Sequence, residues 1–245
     1  MKEKVKKTFN ELASVYEKAI DTNSIYNSEY ERPSMMAQFP EDLNSKRVLD
    51  AGCAAGWYTH QLINRGAEVV AVDLSPEMVA SAKRRVGNKA EVLCLDLEKA
   101  LPFESDSFDY IISSLTLHYL QDWNHIFSEF QRVLKPRGIF LFSVHHPMMD
   151  STILEDTNYF STQLIIDTWN KEGKDYEVAF YRRPLQEIVT KTASFFMLKE
   201  MIEPTPTNNF KMRAPESYAK LMKRPNFLIM KAMRPDSSKR EAVFA

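Results

Sequence analysis

The sequence predicts an α/β chain: a mostly parallel sheet covered by helices on both faces. Two observations carry this. Between residues 47 and 146, short apolar runs alternate with amphipathic stretches, the pattern of strands joined by crossover helices. Three of the runs also end in an acid, Asp50, Asp73 and Asp96. The first is followed at once by the small-residue turn Ala51-Gly52-Cys53-Ala54-Ala55-Gly56. Small side chains let a ligand approach the main chain, and the helix start beyond offers free N–H groups.

The elements follow in order. Val5, Phe9, Leu12, Tyr16, Ala19 and Ile20 recur at helical spacing and predict an amphipathic helix over 3–20. Asp21-Thr22-Asn23-Ser24 breaks it, and a weaker helix is expected over 28–39 despite Pro33. Residues 1–46 precede the small-residue turn and are read as a helical cover. Residues 47–245 form the main domain. Its strands are expected at 48–50, 68–73, 90–96, 108–114 and 139–144, with helices at 55–65, from Ser75-Pro76 to Gly87-Asn88, and after a cap at Asp122. The last helix carries Trp123, Ile126, Phe127, Phe130, Val133 and Leu134 on its apolar face. After His145-His146-Pro147 the rhythm changes. Tyr159–Trp169 and Tyr176–Arg182 predict a hairpin insertion at about 150–183. A helix from Pro184 to about Ala193, strands at 195–203 and 227–233 with a short helix at 215–223 between them, and a polar tail from Pro235 complete the chain.

Composition narrows the function. The chain has 245 residues and a net charge of −1, so nothing favours a nucleic acid or an anionic membrane as partner. Two cysteines, Cys53 and Cys94, make a disulfide framework unexpected. Both are expected to be small packed residues. No apolar run approaches the ~18 residues of a membrane span. Cytoplasm is the expected location.

Asp73 follows the small-residue turn by about 20 residues, the spacing at which an acid reaches ribose hydroxyls. A carboxylate suits that task because it accepts two hydrogen bonds from adjacent hydroxyls. Asp96 can accept from an adenine amino group while Leu97 donates its N–H, and Leu74, Met78 and Leu97 offer apolar walls for a base. Five segments stand in order: Val48–Gly56, Val72-Asp73-Leu74-Ser75, Asp96-Leu97, Leu101-Pro102-Phe103 with Phe108-Asp109, and Val133–Gly138. The series resembles class I S-adenosylmethionine-dependent methyltransferases, in the small-molecule branch typified by ubiquinone- and menaquinone-biosynthesis-type enzymes. The resemblance covers about residues 47–146. It departs at Ala54, where the family often has a glycine, and implies a slightly tighter pocket there.

The resemblance implies a Rossmann-like seven-stranded sheet of order 3-2-1-4-5-7-6 with strand seven antiparallel. It implies S-adenosylmethionine as cofactor, S-adenosylhomocysteine as product, and a small-molecule acceptor methylated by in-line transfer. The residues it points to for the cofactor are Tyr16, Arg32, Asp50, Gly52, Cys53, Ala54, Gly56, Asp73, Leu74, Met78, Asp96, Leu97 and Ser114. Arg32 would meet the donor's carboxylate. The main alternative, an NAD-dependent oxidoreductase, is weakened because Ala54 and Trp57 stand where Gly-x-Gly-x-x-Gly needs glycines. A donor-binding protein without catalysis is a second alternative, which turnover would separate.

His118 follows strand four, and His145 and His146 follow strand five, all on the rim where sheet ligands bind. They are the candidates for a general base, should the acceptor start protonated. A metal site built from His145, His146 and Asp150 is disfavoured, because adjacent residues rarely point to one centre. Arg182-Arg183 could hold an acidic substrate group.

Overall fold

A computed structural model describes residues 1–17, 24–150, 153, 158–171 and 173–236. Nine strands are found among them: β1 (Arg47–Ala51), β2 (Glu68–Asp73), β3 (Glu91–Cys94), β4 (Phe108–Ser114), β5 (Leu134–His145), β6 (Gln163–Lys171), β7 (Lys174–Arg182), β8 (Met197–Ile202) and β9 (Phe227–Met233). Seven make one sheet of order β3-β2-β1-β4-β5-β9-β8, and β6-β7 is a separate hairpin. The pairs from β3 to β5 are parallel, and β9 runs antiparallel to both β5 and β8. With β8 and β9 as strands six and seven, this is the expected order.

Alternation along the strands decides which helix covers which face, since successive side chains point to opposite sides. Leu49, Val70, Val72, Ile111, Phe140 and Phe142 share one core with Ile126, Phe127 and Phe130 of the helix Asn124–Val133 and Ile188 of Leu185–Phe195. On the other face, Val48, Val69, Ile112 and Leu141 pack against Tyr58 and Leu62 of the helix Trp57–Asn64. Ala71 and Val92 pack there against Val79, Ala82 and Val86 of Pro76–Val86. A sheet buried on both sides explains why its strands read as near-continuous apolar runs.

The N-terminal helix α1 (Lys2–Val15) places Leu12, Ala13 and Val15 against Ala55, Met78 and, from the hairpin, Tyr176. It therefore bridges the core and the insertion. The second cover segment is a π-turn, Asn27–Glu31, running into the helix Arg32–Met36. Proline lacks an N–H and crowds the preceding turn of a regular helix. The wider π-turn just before it lets Pro33 sit near the start of the α-helical part. Met35, Met36, Phe39 and Leu43 then join the sheet core.

Some details differ from expectation. The hairpin's first strand begins at Gln163 and not Tyr159, because residues 158–161 turn: Ser161 N–H donates to Asn158 O, and Asn158 Oδ1 accepts from Phe160 N–H. The helix expected at Asp122 begins at Asn124, whose N–H donates to Asp122 Oδ1 at 2.9 Å. The stretch expected as a loop before residue 215 holds the helix Asn208–Arg213, capped by Thr207 through Phe210 N–H. Cys94 is exposed, whereas Cys53 is buried as expected. The helix end at Ala19-Ile20, the break at 21–23, Glu172 in the hairpin turn and the tail beyond residue 236 lie outside the described residues. No described helix is long and apolar enough to cross a membrane.

Candidate active site

A cavity of about 340 Å³ opens beyond the carboxyl ends of β1 to β4. Its floor is the turn after β1. Gly52 N–H and Cys53 N–H both donate to Val72 O, at 2.8 and 3.0 Å, which ties the turn to β2. Gly52 has φ +87°, and a Cβ there would come 2.2 Å from Thr116 Oγ1, so glycine is needed both for the backbone angle and for Thr116 to pack against the turn. Gly56 (φ +78°) does a different job. A Cβ there would meet Ala82 Cβ at 3.0 Å, so Gly56 brings the two helices that follow β1 and β2 close together, and it does not border the cavity.

Asp73 closes β2 at the edge of the cavity. Its carboxyl accepts from Ala54 N–H and Ser75 N–H, both at 2.9 Å. The acid thus holds the turn in shape. A carboxylate has about four lone-pair positions, which leaves capacity for ligand hydroxyls. Burial pushes Asp73 above its ordinary value, against the pull of those N–H groups. Asp50, also strand-end, lies behind the turn. It is buried, accepts from Thr59 Oγ1 at 2.6 Å, and is raised to about 7, chiefly by burial. Met78 is likewise buried, in the packing of α1 against the core.

Asp96, Leu97 and Leu74 line the far end below β3. Lys2 of α1 reaches in and donates to Asp96 Oδ2 at 2.8 Å, with Glu98 Oε2 at 2.7 Å. Partial burial works to raise the Asp96 carboxyl; the Lys2 ammonium and the Glu98 N–H outweigh it and hold it below the ordinary range.

At the opposite end, beyond β4, the wall includes Tyr16, Arg32, Trp57, Ser114 and Thr116. The Arg32 guanidinium stacks 4.2 Å above the Trp57 ring. Beside it sits Glu31, 1% exposed, accepting from Tyr58 Oη at 2.5 Å, Ser114 Oγ at 2.8 Å and Ser143 Oγ at 2.6 Å. Phe9, Tyr119, Leu120, Gln121 and Tyr181 also line the cavity, so α1 and the hairpin both contribute to its roof.

A family profile described as a methyltransferase domain matches residues 49–142. The chain carries an S-adenosylmethionine-dependent methyltransferase domain. A solved structure described as a putative S-adenosylmethionine-dependent methyltransferase from Listeria monocytogenes superposes with a TM-score of 0.71 at 28% identity. That likeness covers 84% of this chain and 97% of the other. An uncharacterized protein of Haemophilus influenzae is 25% identical over 234 residues, 83% of this chain and 87% of that one. The malonyl-[acyl-carrier protein] O-methyltransferase of Halorhodospira halophila is 38% identical over 112 residues, 44% of this chain and 38% of that one. The chain spans about a quarter to two fifths of the length of curated relatives of that kind.

Within the methyltransferase domain, the turn, Asp73, Leu74, Asp96, Leu97 and Ser114 share one cavity with Tyr16 and Arg32 of the cover. Asp50, Gly56 and Met78 stand behind it and shape it. Glu31, Trp57, Tyr58 and Thr116 line it without having been picked out from the sequence. Only Glu31 had a legible signal, an acid next to Arg32 in a segment already read as cover.

The three histidines do not border the cavity. His118 is 2% exposed, stacked 4.2 Å from the His145 ring and separated from the cavity by Tyr119. Burial, with His145 and Arg183 nearby, drives it well below its ordinary value, so it stays neutral. His145 Nδ1 lies 3.3 Å from Asp150 Oδ1. His146 turns the other way: Nδ1 accepts from Met148 N–H, which leaves Nε2 to donate to Glu203 at 2.9 Å. Arg182 spends one nitrogen on the carbonyls of Asn158, Tyr159 and Ser161, and Arg183 donates to Leu120 O and Gln121 O. Both arginines brace the insertion.

Proposed function

We propose that the chain methylates a small-molecule acceptor held in the cavity above β1 to β4. The observation that supports this most is the convergence of the small-residue turn, the two strand-end acids Asp73 and Asp96, and an aromatic roof on one enclosed space. Bound there, S-adenosylmethionine supplies an activated methyl group. On this reading Asp96 and Leu97 receive the adenine, Asp73 the ribose hydroxyls, and Arg32 the carboxylate. The turn at Gly52–Ala54 lets the donor lie against the main chain.

The protein's remaining task is alignment and exclusion of water. Phe9, Tyr119 and Tyr181 suit a planar or apolar acceptor, and Gln121 offers it one polar contact. A net charge of −1 gives no reason to expect a nucleic-acid acceptor. A general base has to reach the acceptor directly or through one water. With Tyr119 between His118 and the cavity, His118 could serve as that base only through a water or a shift of Tyr119.

The test is a metabolite-library incubation with S-adenosylmethionine, read by mass spectrometry. The reading expects an acceptor that gains one methyl mass only when enzyme and donor are both present. Donor binding without any modified compound, across a library spanning oxygen, nitrogen, carbon and sulfur nucleophiles, would support a binding protein instead.

A further inference from the structure

We infer that Glu31 selects ligands by their amino-acid ammonium, making the cover segment, not only the turn after β1, a reader of the donor. The inference rests on the proposed donor reading. It starts from an electrostatic imbalance. Glu31 is buried at the cavity wall, and three hydroxyls, from Tyr58, Ser114 and Ser143, stabilise its carboxylate. Among the described residues no cationic side chain makes an ion pair with it. A buried carboxylate is costly unless a positive charge or strong hydrogen bonds offset its lost hydration. Hydroxyls alone meet only part of that: Oε1 accepts from both serines, while Oε2 accepts only from Tyr58 and keeps a lone-pair position open. The cavity therefore has a place for a cation.

The sheet acts as a ruler for where that place falls along the donor. Asp96 follows β3, Asp73 ends β2, Gly52 follows β1, and Ser114 ends β4. Neighbouring strands are ~4.8 Å apart. An adenine at Asp96 and a ribose at Asp73 put the sulfur over β1 and the amino-acid end over β4. Glu31 is bonded to Ser114 and to Ser143 on the next strand, so it stands at the amino-acid end and not beside the sulfur. Arg32, the next residue, lines the same end. Consecutive residues of one helical turn thus offer opposite charges to a zwitterion, Glu31 to the ammonium and Arg32 to the carboxylate.

The experiment compares Glu31→Gln with the unmodified protein, by calorimetric titration of three ligands. S-adenosylhomocysteine carries the whole amino acid. Its deaminated analogue lacks only the ammonium. 5′-Methylthioadenosine keeps the adenosyl and sulfur but has no amino-acid group. In the unmodified protein, removing the ammonium should weaken binding roughly ten-fold or more. In Glu31→Gln, S-adenosylhomocysteine should weaken by a similar factor, the deaminated analogue should lose its disadvantage, and 5′-methylthioadenosine should bind as before. Equal weakening of all three ligands would make Glu31 a residue that only shapes the wall, and would overturn the inference. So would unchanged S-adenosylhomocysteine affinity. If Glu31→Gln did not fold, equal binding of S-adenosylhomocysteine and its deaminated analogue to the unmodified protein would overturn it alone. Failure of the unmodified protein to bind any of the three would remove the donor reading itself, a result distinct from a failure of Glu31.

Discussion

At the scale of single residues, the strand-end acids divide into two jobs. Asp73 faces the cavity and also holds Ala54 N–H and Ser75 N–H. Asp73→Ala should lower S-adenosylhomocysteine affinity ten- to a hundred-fold, since charge-assisted bonds of about 1.5–3 kcal/mol are lost. It should also lower the melting temperature of the free protein, because two N–H groups of the turn lose their acceptor. A strand-end acid that merely faced an open cleft would leave melting unchanged; the bonds to Ala54 N–H and Ser75 N–H make Asp73 part of the turn's structure. Calorimetry and thermal melts check the two parts separately. Asp50 points inward, and burial raises it from 3.8 to about 7. Its native state holds the proton more tightly than the unfolded chain does. Its contribution to stability is therefore full below about pH 4 and is lost as pH rises through about 7, a swing of order 4 kcal/mol at most. Asp50→Asn keeps an acceptor for Thr59 but cannot ionise. The melting temperature of the variant relative to the unmodified protein should become more favourable between pH 4.5 and pH 8. A difference that stays flat with pH would show that Asp50 does not titrate in this way. Asp73 and Asp96 were legible in the sequence because a strand-end acid at a set spacing is a local signal. Glu31 was legible only as an acid beside Arg32 in the cover; its role was not, because that depends on Tyr58, Ser114 and Ser143 meeting it from three other elements.

At the scale of elements, α1 links cofactor end, roof and insertion. Lys2 ties it to Asp96, Phe9 reaches the cavity, and Leu12 and Val15 pack beside Tyr176 of the hairpin. Ligand exchange through a roofed cavity requires the roof to open, and elements that open are the less stable ones. Amide exchange in α1 and in β7 should therefore slow when S-adenosylhomocysteine is added, measured by mass spectrometry. No change in either would place the entry route elsewhere. The rest of the cover is built in more firmly. Tyr30 is fully buried with Phe210 and Phe227, and its hydroxyl accepts Asn226 N–H at 3.0 Å. Tyr30→Ala should cost about 3–5 kcal/mol of stability, as large-to-small changes of core aromatics do. Removal of residues 1–30 would therefore disturb the core as well as the roof. Strand positions were the most legible elements: β2, β4 and β9 match their expected bounds, because parallel strands buried on both faces read as unbroken apolar runs. The π-turn before Pro33 and the helix at Asn208–Arg213 were not, since each depends on tertiary packing or on a cap that sequence periodicity does not register.

At the scale of the whole molecule, the order of the strands turns a run of separate motifs into one site. Asp50, Asp73 and Asp96 lie far apart in the chain, yet β1, β2 and β3 are neighbours and all end on the same side. The sequence could carry that much because βαβ connections admit few topologies. It could not show that His118, His145 and His146, on the same rim by strand position, would be set behind Tyr119 or turned toward Glu203. That outcome depends on how the insertion packs on β5. The central claim is that the cavity over these strand ends takes an adenosyl amino acid and not a dinucleotide. Titration calorimetry of the full chain with S-adenosylhomocysteine and with NAD tests it most directly. The account expects saturable one-to-one binding of S-adenosylhomocysteine and none of NAD at comparable concentrations. Tight NAD binding with no S-adenosylhomocysteine signal would contradict it.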